Sequence, residues 1–147
     1  MSHFEPRDPD FEPRVRASFA RQDFMVTLGV ELAHVAPGKV DLAVGFRDGL
    51  SQQHGFFHAG VTSSVADSAA GYAALSLFAK GFGVLTSEFK INLLNPAVGP
   101  MLLAQGRVLK PGKLLCICKA DVFGGEHCAT HVATGLFTMV AREGLDD

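Results

Sequence analysis

The residues able to do chemistry concentrate between positions 52 and 67. The stretch QQHGFFHAG (52–60) sets His54 and His58 four apart among glycines and phenylalanines, and Asp67 follows nine residues after His58. Asp67 is the only charged residue between Asp48 and Lys80. Aspartate is a weak helix former and is costly to bury without a partner, so its place in an otherwise uncharged run requires compensation. The two histidines suggest a metal pair, but a zinc pair at this spacing needs both on one helix, and Gly55 with Phe56 and Phe57 between them reads as loop. No metal is expected. His58 is a candidate general base, and His54 reads as an ordinary loop histidine.

These groups need a helix behind them. Residues 59–79, AGVTSSVADSAAGYAALSLFA, form the one long helix candidate, rich in alanine and poor in β-branched residues after Val65. Ser63, Ser64, Ala70 and Gly71, three and four residues from Asp67, are all small, so that face leaves room for a ligand or a close backbone. Val61, Val65, Tyr72 and Leu75 form a core-like stripe, and Asp67 is expected to face a crevice. Ser63, Ser64 and Ser68 lack the G-x-S-x-G setting of a nucleophile and read as small packing residues. The helix begins at His58-Ala59-Gly60, where unpaired backbone N–H groups and the helix dipole suit an oxyanion. Gly55 and Gly60 permit close backbone approach. Asp67 lies about 13 Å along the helix from that start, so one chain could hardly bring both to one substrate. A two-fold dimer could.

The flanking segments read mostly as strand. Residues 1 to about 12 are expected to be a loose arm, and 14–22 a short helix after Pro13. Strand-like runs MVTLGVELAHVA and KVDLAVGF follow, joined at Pro37-Gly38, with Val40, Leu42, Val44 and Phe46 on one face. After the helix come VLTSEFKINLLN, MLLAQGRVLK, KLLCICKADVF and CATHVATGLFTMVA, read as an antiparallel meander. The expected architecture is α+β, a sheet wrapped around one long helix, with an arm and short helix over 1–22 and the main domain over 23–143.

The 147 residues suit one domain, and 48% hydrophobic against 19% charged residues points to apolar surface used between subunits. A formal net charge of −2 without a basic run argues against nucleic acid. Three cysteines and an N-terminus unlike a secretory signal fit a reducing cytoplasm. No apolar run is long enough for a membrane span.

Gln52-x-x-Gly55-x-x-His58-Ala59-Gly60 followed by Asp67 resembles the N/Q-x-x-G-x-x-H-G-G…D/E pattern of hotdog-fold acyl-CoA thioesterases, the PaaI-like group above all. The resemblance continues in TSEFKINLLNPA (86–97) with Gly99, and in LKPGK (109–113), and covers about residues 24–140. It implies a hotdog fold, dimers with a joint sheet and often tetramers, and active sites at the dimer interface. It implies acyl-CoA as substrate and no cofactor. Asp67 matches the family's catalytic carboxylate, Ala59 the residue whose backbone N–H polarises the thioester carbonyl, Gln52 the amide that helps hold thioester or water, and Thr86 a hydroxyl near the attacking water. Ala59 stands where the family has glycine. In the family pattern His58 orders the loop and helix start through a backbone hydrogen bond. Phe56 and Phe57 would line the acyl or pantetheine passage or pack at the dimer interface, and Lys113, ahead of Arg107, Lys110 and Lys119, could meet the coenzyme's phosphates. The alternatives are a non-catalytic acyl-CoA-binding domain and a hotdog dehydratase or hydratase, whose F-P-x-x-P-x-M-P-G type of loop is absent.

Overall fold

A computed structural model of the chain describes residues 4–145. In chain order the elements are α1 (Phe11–Ala20), α2 (Asp23–Leu28), β1 (Val30–Ala36), β2 (Lys39–Gly45), α3 (Ala59–Leu75), β3 (Phe82–Leu93), β4 (Met101–Lys110), β5 (Leu115–Gly124) and β6 (Thr130–Glu143). The six strands form one antiparallel sheet in the order β1-β2-β4-β5-β6-β3. The sheet curls around α3, the helix-in-a-roll arrangement of the hotdog fold.

Strand alternation supplies the wall of the core. Val40, Leu42 and Val44 of β2, Leu102 and Ala104 of β4, Cys116, Cys118, Ala120 and Val122 of β5 all turn inward and are buried. Against them α3 presents Val61, Val65, Ala66, Ala69, Ala73 and Leu75. The alanines let the helix lie close to β4. At the closest point a Cβ on Gly106 would overlap the Ala69 carbonyl, so this position tolerates only glycine.

The structure differs from the sequence expectation in four places. Residues 23–28, read as the start of a strand, are the helix α2. Its buried residues, Met25 and Leu28, are three apart, which is a helical rather than a strand period, and the turn ends at Gly29. The four later strands are not one meander. β4, β5 and β6 follow in order, but β3 crosses to the far edge and pairs with β6. The connection over 94–100, with Pro96 and Pro100, is no hairpin. The long helix ends at Leu75 rather than 79, because Ser76 Oγ donates to the Ala73 carbonyl (2.7 Å) and accepts the Gly38 N–H (2.8 Å).

The fourth difference is the arm, which is not loose from residue 4 onward; residues 1–3 lie outside the described part. Phe4 packs on the core and α1 begins at Phe11. Arg14 is buried and its guanidinium donates to the carbonyls of Leu75 (3.2 Å), Phe78 and Ala79 (3.0 Å), capping the C-terminal end of α3. A cation there meets both the helix dipole and its orphan carbonyls. Its Nε lies 3.1 Å from Asp8 Oδ2, a charge contact without hydrogen-bond alignment. The short helix and the segment before it are therefore part of the folded unit.

Candidate active site

Asp67 sits mid-helix, half-buried, on the α3 face that looks towards β3. Pairing of β3 with β6 carries Thr86 opposite Met139, and a bulge between Thr86 and Glu88 follows directly. Thr86 Oγ1 donates to Asp67 Oδ1 at 2.7 Å. Burial pushes the Asp67 carboxyl above its ordinary value, and the Thr86 hydrogen bond opposes part of that rise. A carboxyl raised this way is a better proton acceptor when ionised than a solvated one.

Asp67 and Thr86 line a cavity of roughly 430 Å³. Its other wall comes from the corner between α1 and α2, with Ser18 and Gln22, and from the next turns of α3, with Ser68, Gly71 and Tyr72. Tyr72 is buried in the core, as its sequence stripe suggests, and also reaches this cavity, while Ser18 and Gln22 come from the segment read as an arm and short helix outside the main domain. Nothing local in the sequence signals that those segments meet, since 46 residues separate Gln22 from Ser68.

The helix start forms a second cavity of roughly 470 Å³, lined by Gln52, Phe57, His58, Ala59 and Thr62 on one side and by Leu93, Leu94, Asn95 and Pro96 on the other. His58 is the N-cap of α3, with extended backbone (φ −63°, ψ 140°), and its Nδ1 accepts the Gly60 N–H at 2.8 Å. That bond requires an unprotonated Nδ1, so neutral His58 holds its proton on Nε2. The His58 carbonyl accepts from Val61 (2.9 Å) and Thr62 (3.3 Å). Among the described residues this leaves Ala59 N–H as the one donor of the first turn without a partner. A free N–H at the positive end of a helix is suited to a developing oxyanion.

The loop before it is tightly ordered. Gly55 turns the chain at φ 81° and donates to the Gln52 carbonyl at 3.0 Å. Gln52 Oε1 accepts the His54 N–H, so the amide NH₂ is the end Gln52 can offer a ligand. Phe57 is buried, its ring edge-to-face with Phe46 at 5.0 Å. Gly60 does not line either cavity, and His54 is exposed away from both.

Two groups of the sequence-proposed residues are thus brought together, Asp67 with Thr86 and Gln52 with His58 and Ala59. Within one chain the groups stay apart, about 12 Å along α3 for eight residues. Lys113 joins neither. It follows Pro111 and Gly112 in the β4–β5 turn, and those two residues line a separate cavity with Phe4 and Phe78. Asn95 was missed. It faces the helix-start cavity and donates from Nδ2 to the His131 carbonyl at 2.9 Å. Cys116 and Cys118 lie buried with sulfurs 3.8 Å apart, and among the described residues no cluster of three or more His, Cys, Asp or Glu side chains is assembled for a metal.

One long helix wrapped by a curled six-stranded antiparallel sheet defines the hotdog fold. Residues 54–129 match the family profile of the thioesterase superfamily, and the chain belongs to that superfamily. A thioesterase family protein from Silicibacter pomeroyi is 43% identical over 91% of this chain and 99% of its own, with a TM-score of 0.89. The E. coli PaaI protein of the phenylacetic acid degradation operon shares the fold at a TM-score of 0.84 and 19% identity, over 94% of this chain and 97% of that one. A Saccharolobus solfataricus protein named as an esterase is 24% identical over 94 residues, 64% of this chain and 66% of its own length.

Proposed function

We propose that this chain is an acyl-CoA thioesterase, hydrolysing the thioester of a small aromatic or short- to medium-chain acyl-CoA to the free acid and coenzyme A. The observation that carries the reading is Asp67, the sole acid of α3, held by Thr86 on the wall of a cavity. As general base it takes a proton from water whose oxygen attacks the thioester carbon. The oxyanion is received by Ala59 N–H, with the Gln52 amide beside it. Collapse expels the thiolate, which takes up a proton as coenzyme A. Direct attack by the Asp67 carboxylate, through an anhydride that water then opens, uses the same residues.

The working site is proposed to form between two copies, Asp67 from one and the helix start from the other. The separation of the two groups along α3 supports this. So does β3, an edge strand that exposes Leu85, Phe89 and Leu93. An exposed apolar edge is a pairing surface, whereas the opposite edge, β1, carries Glu31 and His34 and a bulge. A dimer, or a dimer of such dimers, with no metal or redox cofactor and a place in the cytoplasm, completes the proposal. Among the described residues no helix is long and apolar enough to cross a membrane.

The test is thiol release from a panel of phenylacetyl, hydroxybenzoyl and straight-chain acyl-CoAs. Wild type should turn over at least one, and Asp67→Asn should retain its oligomeric state and lose turnover. Undiminished turnover in Asp67→Ala would overturn the assignment of the carboxylate.

A further inference from the structure

Thr62 is only 1% exposed, yet it lines the helix-start cavity. A hydroxyl on a helix commonly bonds back to a carbonyl of the preceding turn. Two others on or at the end of α3 do so: Ser64 Oγ donates to the Gly60 carbonyl at 2.6 Å, and Ser76 Oγ to the Ala73 carbonyl at 2.7 Å. Thr62 Oγ1 makes no hydrogen bond among the described residues. The His58 carbonyl one turn back is already shared by the Val61 and Thr62 N–H groups. Among the described residues Arg14 Nε is the one wholly buried side-chain nitrogen or oxygen without a hydrogen bond. The unbonded Thr62 hydroxyl therefore opens onto space, and the space it lines is this cavity.

A buried hydroxyl without a partner destabilises the fold, and valine would fill the same shape without that cost. The use of the hydroxyl therefore lies in what enters the cavity. Thr62 is three residues beyond Ala59, so the two share a helix face, about 4.5 Å apart along the axis. The Cα–Cβ bonds of a helix tilt towards its N-terminus, which leans the Thr62 side chain back over the turn that opens with the Ala59 N–H. One main-chain donor and one side-chain donor thus border the same cavity, and neither is spent inside the protein.

We infer that Thr62 is a further catalytic residue, whose hydroxyl donates to the thioester oxygen beside the Ala59 N–H. The inference rests on the thioesterase reading for the identity of that oxygen. No proton leaves Thr62. Its hydrogen bond strengthens as the carbonyl oxygen gains charge and relaxes when the thiolate departs and the carbonyl is restored. A bond that gains strength only in the transition state acts on kcat rather than on KM.

Thr62→Val keeps the β-branched shape and removes the hydroxyl, and Thr62→Ser keeps the hydroxyl. Thiol release on the best acyl-CoA of the panel is measured beside a thermal melt. Thr62→Val should lose about ten- to a hundredfold in kcat, the worth of a hydrogen bond to a charged group, with KM within about twofold of wild type. It should also melt at or above the wild-type temperature, because an unpaired buried polar atom is gone. Thr62→Ser should recover kcat to within about threefold. A residue that only packs would do the reverse, lowering the melt and sparing kcat. Wild-type kcat in Thr62→Val, a loss confined to KM, or a lowered melting temperature would overturn the inference, and in each case an active wild type leaves the thioesterase reading standing. A wild type inert towards the whole panel sinks that reading and the inference with it.

Discussion

Replacing Ala59 by proline removes one hydrogen-bond donor from the site and almost nothing else. Ala59 is the first residue of α3, and proline is at home there because that N–H has no intrahelical partner. The residue before a proline must be extended, and His58 already is, at φ −63° and ψ 140°. The cap is untouched, since Gly60 N–H still reaches His58 Nδ1 and Val61 and Thr62 still reach the His58 carbonyl. Stability should therefore shift by less than about 0.5 kcal/mol. If Ala59 N–H receives the oxyanion, its loss costs about 10²–10³ in kcat, or about 2.7–4 kcal/mol of transition-state stabilisation. Ala59→Gly keeps the donor and should stay within a few-fold of wild type. The assay is thiol release on the best acyl-CoA of the panel, beside a thermal melt. A proline variant that melts like wild type and turns over at a similar rate would refute the oxyanion assignment. One that unfolds early would refute the account of the helix start.

Other perturbations read different parts of the same structure. Asp67→Asn keeps the Oδ1 acceptor for Thr86 and removes only the charge, so it should raise stability at neutral pH by about 0.5–1 kcal/mol while losing turnover. The sign follows from the raised carboxyl: the folded wild type binds its proton more tightly than the unfolded chain, so wild-type stability falls as pH rises from the ordinary value of 3.8 through the raised one. Urea melts should show the gap to Asn widest at neutral pH and closed well below 3.8. Thr86→Val removes the bond that holds the carboxyl down, so the acid limb of the kcat/KM profile should move to higher pH, with about three- to tenfold slower turnover near neutrality. Arg14→Met strips the cap from α3 and leaves Asp8 buried without its cation, which should cost about 3–5 kcal/mol in a urea melt.

Much of the fold is written locally. β4 spans the residues 101–110 that read as a strand, and α3 starts at Ala59, within the His58-Ala59-Gly60 stretch read as the helix start. α2 was not legible, because Phe24, Val26 and Thr27 favour a strand, and the burial of Met25 and Leu28 against the rest of the core goes with the helical spacing instead. The course of β3 was not legible either. Its own residues read clearly as strand, but which strand it joins depends on a crossing that no local pattern encodes.

The candidate site divides along the same line. The sequence alone determined that one acid would sit mid-helix, that its neighbours would be small, and that a glycine-bearing loop would deliver a helix start. These follow from residue type and spacing over fewer than twenty positions. Only the tertiary structure decided that Thr86 would bond to Asp67, and that Arg14 would end the helix. It alone decided that the open donor would be Ala59 N–H once His58 had taken the next one, and that Gln22 and Tyr72 would wall the cavity. Thr86 and Asp67 are 19 residues apart, and Ser18 and Tyr72 are 54 apart. Contacts of that range are chosen by how the sheet closes over the helix, because loop-closure entropy and core packing, not local propensity, set which distant residues meet.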